Sequence, residues 1–267
     1  MIHKTHFGFK TEPFARDIAT KDLLQLPSMT SVKERLDYCI RLGGVLTIFG
    51  EVGSGKSTAV RWALSHYHPT ELRIVDLVAT TASITELYKQ IAWGLDLVPK
   101  SLSRSTLLKE NKAVIKELAT ARKQKVLIVI DEAQLLRRDV LAELHTLMNF
   151  EYDGANYMAL ILCGQTTLMD RLLYRDAAPL ASRVVSKALI AALTQPEMEE
   201  YIHHHIRVAG IKKNLFEPSA LVAIQQGSAG SLRRANQLAS GGLVAAATEQ
   251  SNIVTADHIR TAASELV

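Results

Sequence analysis

The chain has 267 residues, a formal net charge of +4, 48% hydrophobic and 22% charged residues, an ordinary balance for one large or two smaller globular domains with a buried core. No apolar run reaches the roughly 18 residues of a membrane span, and the N-terminal stretch MIHKTHFGFK has no apolar signal-peptide core. The two cysteines, Cys39 and Cys163, lack metal-ligand spacing and predict buried free thiols in a reducing, cytoplasmic setting.

Five short runs rich in Val, Ile and Leu recur along the first two thirds of the chain: 44–50, 72–79, 125–132, 157–164 and 187–193. They lack clean alternation, as strands buried on both faces do. Helical patterns lie between them, at about 56–66, 83–97, 105–123, 138–151 and 166–174. Strand alternating with helix predicts parallel βαβ units. After Leu193 the strands stop. Thr194 with Glu197 forms a capping box, with Pro196 near the helix start. Further helices are predicted near 196–209, 217–226, 231–248 and 255–265, with Ser219 as a candidate start and GSAGS as a break. The predicted organisation is an α/β domain over 1–193 and a helical domain over 194–267. The basic run RKQK, 122–125, reads as a solvated helix end.

The segment FGEVGSGKSTAV carries G-x-x-x-x-G-K-[ST] between a strand and a helix. Its glycines, Gly50, Gly53 and Gly55, let backbone N–H groups turn toward a phosphate, and the new helix adds its positive end. Glu51, Val52, Ser54 and Thr58 complete the predicted nucleotide cradle. Lys56 would reach the β- and γ-phosphates, and Ser57 would place its hydroxyl on Mg²⁺. ATP and Mg²⁺ are therefore the expected ligands. Farther on, VLIVIDEAQ runs five apolar residues into Asp131 and Glu132, at the ligand edge of a parallel sheet. Asp131 is the expected second metal ligand and Glu132 the general base for the attacking water. HHH at 203–205 is not a metal site, because consecutive helical positions point about 100° apart.

With these motifs the chain resembles the AAA+ ATPases, and within them the ExeA-like branch, which holds secretion ATPases and transposition helpers such as TniB, TnsC and Mu B. The resemblance also rests on the opening FGFKTEPFARDI, on DEAQLL, on ILCGQTTL and on GSLRRANQLA, where Leu232 replaces a proline. It implies a P-loop parallel five-stranded sheet flanked by helices, with a small C-terminal helical lid. It makes Gln165 the sensor-1 residue and Arg233 the sensor-2 arginine, with Arg234 as its neighbour and fallback. It places an arginine finger, serving a neighbouring copy, just before the fifth strand. Arg183 is the favoured residue, four positions ahead of a strand expected at Lys187, and Arg175 is the other. Phe14, with Phe9 and Pro13, would offer apolar surface to adenine. Oligomer-dependent ATP hydrolysis follows, in a ring or helical filament.

The expected object of that cycle is duplex DNA, held without sequence readout, with a transposase as partner. Lys100, Ser103, Arg104 and Lys109, helped by Arg137 and Arg138, would touch phosphates. The mildly basic charge permits this. The alternatives are an ExeA-like secretion-assembly ATPase, or an ATP switch with a protein partner and no DNA. The end of the chain at Val267, with no membrane span or wall-binding domain after the lid, favours the transposition reading.

Overall fold

A computed structural model describes residues 2–15 and 17–266. Arg16 of the opening motif, Met1 and Val267 lie outside them.

The chain divides into two compact units. One contains Pro27–Gly50 and Lys56–Ile190. The other contains the residues preceding Pro27, the short segment Glu51–Gly55 and the chain from Ala191 onward. The division thus differs from a simple cut at 193: the opening segment and the tip of the glycine-rich loop group with the C-terminal helices. In chain order the elements are helices α1 (Ile2–Phe7) and α2 (Pro27–Leu42), strand β1 (Val45–Gly50), α3 (Lys56–Leu64), β2 (Leu72–Val78), α4 (Ile84–Gly94), α5 (Arg104–Ala121), β3 (Lys125–Asp131), α6 (Arg138–Met148), β4 (Met158–Gly164), α7 (Thr167–Leu172), α8 (Ala178–Ala181) and β5 (Val184–Ile190), then α9 (Gln195–Val208), α10 (Pro218–Ser228), α11 (Leu232–Thr248) and α12 (Ala256–Ser264).

In the first unit the five strands are parallel, in the order β2-β3-β4-β1-β5. The order puts β4 between β1 and β3, so the three C-terminal ends that carry the motifs are neighbours. The central strands β1 and β4 are buried at every position, which explains their unbroken apolar runs. The edge strands β2 and β5 are half exposed, so their sequences mix polar with apolar residues. That mixing is why β5 starts at Val184 and not near Lys187: pairing with β1, from Val45↔Val184 to Gly50↔Ile190, extends it back through Ser186 and Lys187. α2 has no counterpart among the predicted elements. Its buried stripe is Met29, Val32, Leu36 and Cys39, a helical spacing diluted by surface charges. Lys125 is not a solvated helix end. It opens β3, and its ammonium donates to the carbonyls of Ile40 and, at 3.2 Å, Arg41, satisfying free acceptors at the end of α2.

In the second unit, α9 starts at the predicted capping box: both Thr194 and Glu197 make their reciprocal bonds. α10 begins at Pro218, one residue ahead of Ser219. Phe14 has a left-handed backbone, φ 60°. Its ring stacks on His205, centroids 5.3 Å apart. Phe7, Phe9 and Pro13 are buried beside α1 and the loop after it.

Candidate active site

At the end of β1 the chain enters the loop 51–55. Gly53 and Gly55 take φ of +79° and +96°, which L side chains rarely adopt. A side chain at Gly53 would also collide with Ser231 Oγ at 2.6 Å and Arg233 Cβ at 2.8 Å, and one at Gly55 with Leu232 at 2.7 Å. The loop tip is hydrogen-bonded to the start of α11: the Arg233 N–H donates to the Gly53 carbonyl at 3.2 Å, and the Ser231 hydroxyl to that of Val52 at 3.4 Å. Arg233 and Arg234 are themselves exposed. Leu232, at the position of the family's proline, packs its side chain on Gly55. The Ser54 hydroxyl is buried without a hydrogen-bond partner, an acceptor or donor kept for a ligand. These features fit a phosphate cradle.

Lys56 opens α3 and is 7% exposed. Its ammonium donates to the Gly50 carbonyl at 2.8 Å. The next residue, Ser57, donates its hydroxyl to Asp131 Oδ2 at 2.7 Å. Asp131 closes β3, and its Oδ1 accepts from the Glu132 N–H at 2.8 Å. A serine hydroxyl and a carboxylate in contact at a sheet edge are hard oxygen donors suited to Mg²⁺. Glu132 leaves the strand in the left-handed region, φ 53° and ψ 34°, a conformation that functional sites often retain at a cost. Its Oε2 accepts from Gln134 Nε2 at 2.6 Å. The Gln165 N–H, one residue past β4, donates to Gln134 Oε1 at 3.1 Å. Gln134 was no part of the predicted site. No periodicity flags it, because its role depends on the strand ends meeting in space.

Arg183 directly precedes β5, and its carbonyl accepts from the Val45 N–H at 2.8 Å. It therefore stands at the N-terminal edge of the sheet, opposite Lys56. Its guanidinium is bound in two places by Asp153, at 2.8 and 2.9 Å. Asp153 belongs to a turn in which Glu151, Tyr152 and Asp153 all have positive φ, 50°, 57° and 66°, each costing roughly 1–2 kcal/mol for an L residue. Lys116 and Tyr157 hold Glu151 of the same turn at 2.7 and 2.8 Å. Arg175 is exposed in the short 3₁₀ turn after α7.

The expected nucleic-acid contacts are divided. Lys100 and Lys109 are exposed. Ser103 spends its oxygen capping α5, accepting from the Thr106 N–H at 3.3 Å. Arg104 is paired with Glu143, Nε to Oε1 2.6 Å. Arg137 is held by Asp139 at 2.9–3.0 Å, and Arg138 lies 3.9 Å over the Tyr174 ring. Among the described residues no group of three or more His, Cys, Asp and Glu side chains is placed to hold a metal; in the triple histidine, His205 is buried and His204 Nε2 donates to the Asp22 carbonyl, 2.7 Å away.

The sheet order, the loop after β1 and the carboxylates after β3 describe a P-loop AAA fold. Residues 40–172 match the family described as AAA domain. The chain has the P-loop AAA fold. The same AAA chain is 28% identical, over 99% of its length, to General secretion pathway protein A of Aeromonas hydrophila, of which it spans 48%. It thus covers about half the length of that relative. Among solved structures, Cdc6p from Pyrobaculum aerophilum superposes with a TM-score of 0.74 at 19% identity, covering 95% of this chain and 70% of that one. The Aeropyrum pernix ORC1 protein in complex with DNA superposes at 0.70 and 16% identity, covering 95% and 68%. These two likenesses show the AAA fold alone. No helix among the described residues is long and apolar enough to cross a membrane.

Proposed function

We propose that the chain is an ATP-hydrolysing assembly switch that acts on duplex DNA. The observation that carries the hydrolytic part is the contact chain Ser57–Asp131–Glu132, with a hydroxyl 2.7 Å from one carboxylate and a second carboxylate next in sequence. Lys56 turns its ammonium from the Gly50 carbonyl to the phosphates. Ser57 and Asp131 would hold Mg²⁺, which when bound would neutralise phosphate charge. Glu132 takes a proton from the attacking water. The water oxygen bonds to the γ-phosphorus as the bond to the bridging oxygen breaks, leaving ADP and inorganic phosphate. Gln165 sits beside that reaction, and Arg233 starts the helix that holds the loop tip. Phe14 stacks its ring on His205, and the segment around it, with Phe9 and Pro13, offers apolar surface to adenine. Arg183 serves a neighbouring copy.

Exposed Lys100 and Lys109, the +4 charge and a fold shared with a protein described in complex with DNA support DNA as the object; the partner proposed with it is a transposase. Arg104 and Ser103 join such contacts only by giving up Glu143 and the α5 cap. A second reading is favoured by the 28% identity to General secretion pathway protein A across 99% of the chain: an assembly ATPase acting on a protein partner.

Two measurements test these readings. Lys56→Ala is expected to lose nucleotide binding, and Glu132→Gln to keep it while turnover drops by about 10²–10⁴. Normal hydrolysis by Glu132→Gln removes the general base. With a non-hydrolysable ATP analogue, random duplex DNA should be retained on filters at low salt and released as salt rises. No retention at low salt sinks the DNA reading and leaves the protein-partner one.

A further inference from the structure

Gln134 is 8% exposed and lies in a 3₁₀ turn, Ala133–Leu135, directly after Glu132. Both ends of its side-chain amide are engaged. A carboxylate can only accept, so the amide NH₂ must face Glu132 Oε2, at 2.6 Å. A backbone N–H can only donate, so the amide oxygen must face Gln165, at 3.1 Å. The orientation of the amide is fixed by its partners. The room for it is fixed as well. Gly164 ends β4, and a Cβ there would lie 2.6 Å from Gln134 Oε1 and 3.3 Å from the Gln134 backbone nitrogen. The bare backbone at Gly164 is what lets the amide cross from β3 to β4.

We infer that Gln134 is the positioning residue of Glu132: its amide clamps one carboxylate oxygen to the backbone at the Gln165 step, leaving the other oxygen for water. The inference rests on the hydrolytic reading above and deepens it. Through this clamp the aim of Glu132 depends on where the segment after β4 sits, so a displacement of Gln165 is felt at the carboxylate without either side chain touching the other.

The test uses the full chain in three variants. Gln134→Ala removes the clamp. Gly164→Ala leaves residue 134 intact and displaces its amide. Gln134→Glu keeps the shape but sets a second carboxylate against Glu132. In the first two, kcat is expected to fall about 10- to 100-fold, the cost of a misplaced reacting group, while the nucleotide dissociation constant stays within about threefold. In Gln134→Glu the side-chain length is kept but the donor to Glu132 is lost, so kcat should fall to a similar extent. A merely structural role would weaken nucleotide binding along with turnover. Independently of turnover, amide hydrogen exchange at Gln165 in nucleotide-free protein should be faster by about tenfold in Gln134→Ala and Gly164→Ala, whose N–H loses its acceptor. Unchanged kcat in Gln134→Ala, or unchanged exchange at Gln165, overturns the clamp. An unaltered chain that never hydrolyses ATP overturns the hydrolytic reading along with it, whereas normal turnover in both the unaltered chain and Gln134→Ala overturns the clamp alone.

Discussion

Arg183 cannot serve the phosphate site of its own chain. The register between β1 and β5 runs from Val45↔Val184 to Gly50↔Ile190, with Arg183 before its first pair and Lys56 beyond its last. Five steps at about 3.3 Å each separate the two edges by about 17 Å, farther than an arginine side chain extends. Any phosphates it contacts, as proposed, would belong to another copy. The perturbation that exposes this is a mixture of two inactive chains. Arg183→Ala keeps a phosphate loop but offers no cation. Lys56→Ala offers the cation but has no working loop. A finger of this kind is worth roughly 10³ or more in rate, so each alone should fall to background. In a random one-to-one head-to-tail assembly, about a quarter of the junctions pair an intact loop with an intact arginine. Phosphate release at fixed total chain concentration should therefore recover to roughly a quarter of the unaltered rate. The pair with Asp153 does not prevent this. Asp153 is half exposed, and such a pair contributes about 1 kcal/mol or less, a latch that assembly can open. No recovery on mixing, or near-normal turnover by Arg183→Ala alone, refutes the trans assignment and turns attention to Arg175.

Two further outcomes concern the unit as a folded object. Burial, and then the neighbouring His204, push His205 down to about 4 from 6.5, so it is neutral when folded while the unfolded chain binds a proton below about pH 6.5. Stability should be fully present above pH 6.5 and fall as pH drops toward 4, by up to about 3 kcal/mol; urea unfolding at pH 7, 6 and 5 should show a flatter profile for His205→Phe, and identical slopes would refute the assignment. Burial pushes the Cys39 thiol up to about 12 and raises Cys163 still further, so a thiol reagent at pH 8 should label neither in the native chain; prompt labelling before unfolding would contradict their placement.

The central half of the fold was legible because β1 and β4 are buried on both faces, and β3 through its interior, which leaves an apolar run that no other element imitates. The motif residues were legible for the same topological reason: each sits at a strand end, where parallel sheets present ligands. The edges were not. β5 looks like a strand only from Lys187 on, because one side of it faces away from the core. α2 hides its stripe among Lys33, Glu34, Arg35 and Asp37. The aromatic entry segment was legible as apolar but not in its target, since the partner of Phe14 is His205, on a distant helix. Gln134 was invisible because its meaning is set by two atoms belonging to other parts of the chain.

Gly164 and Gln134 occupy one space between them. A side chain at 164 would push the Gln134 amide aside, and a shorter residue at 134 would leave space beside Gly164. The present pair ties the carboxylate to the neighbouring strand. Among descendants of this sequence, the two sites should therefore change together or not at all, and a lineage that has exchanged the glycine should be one that no longer relies on Glu132 for turnover.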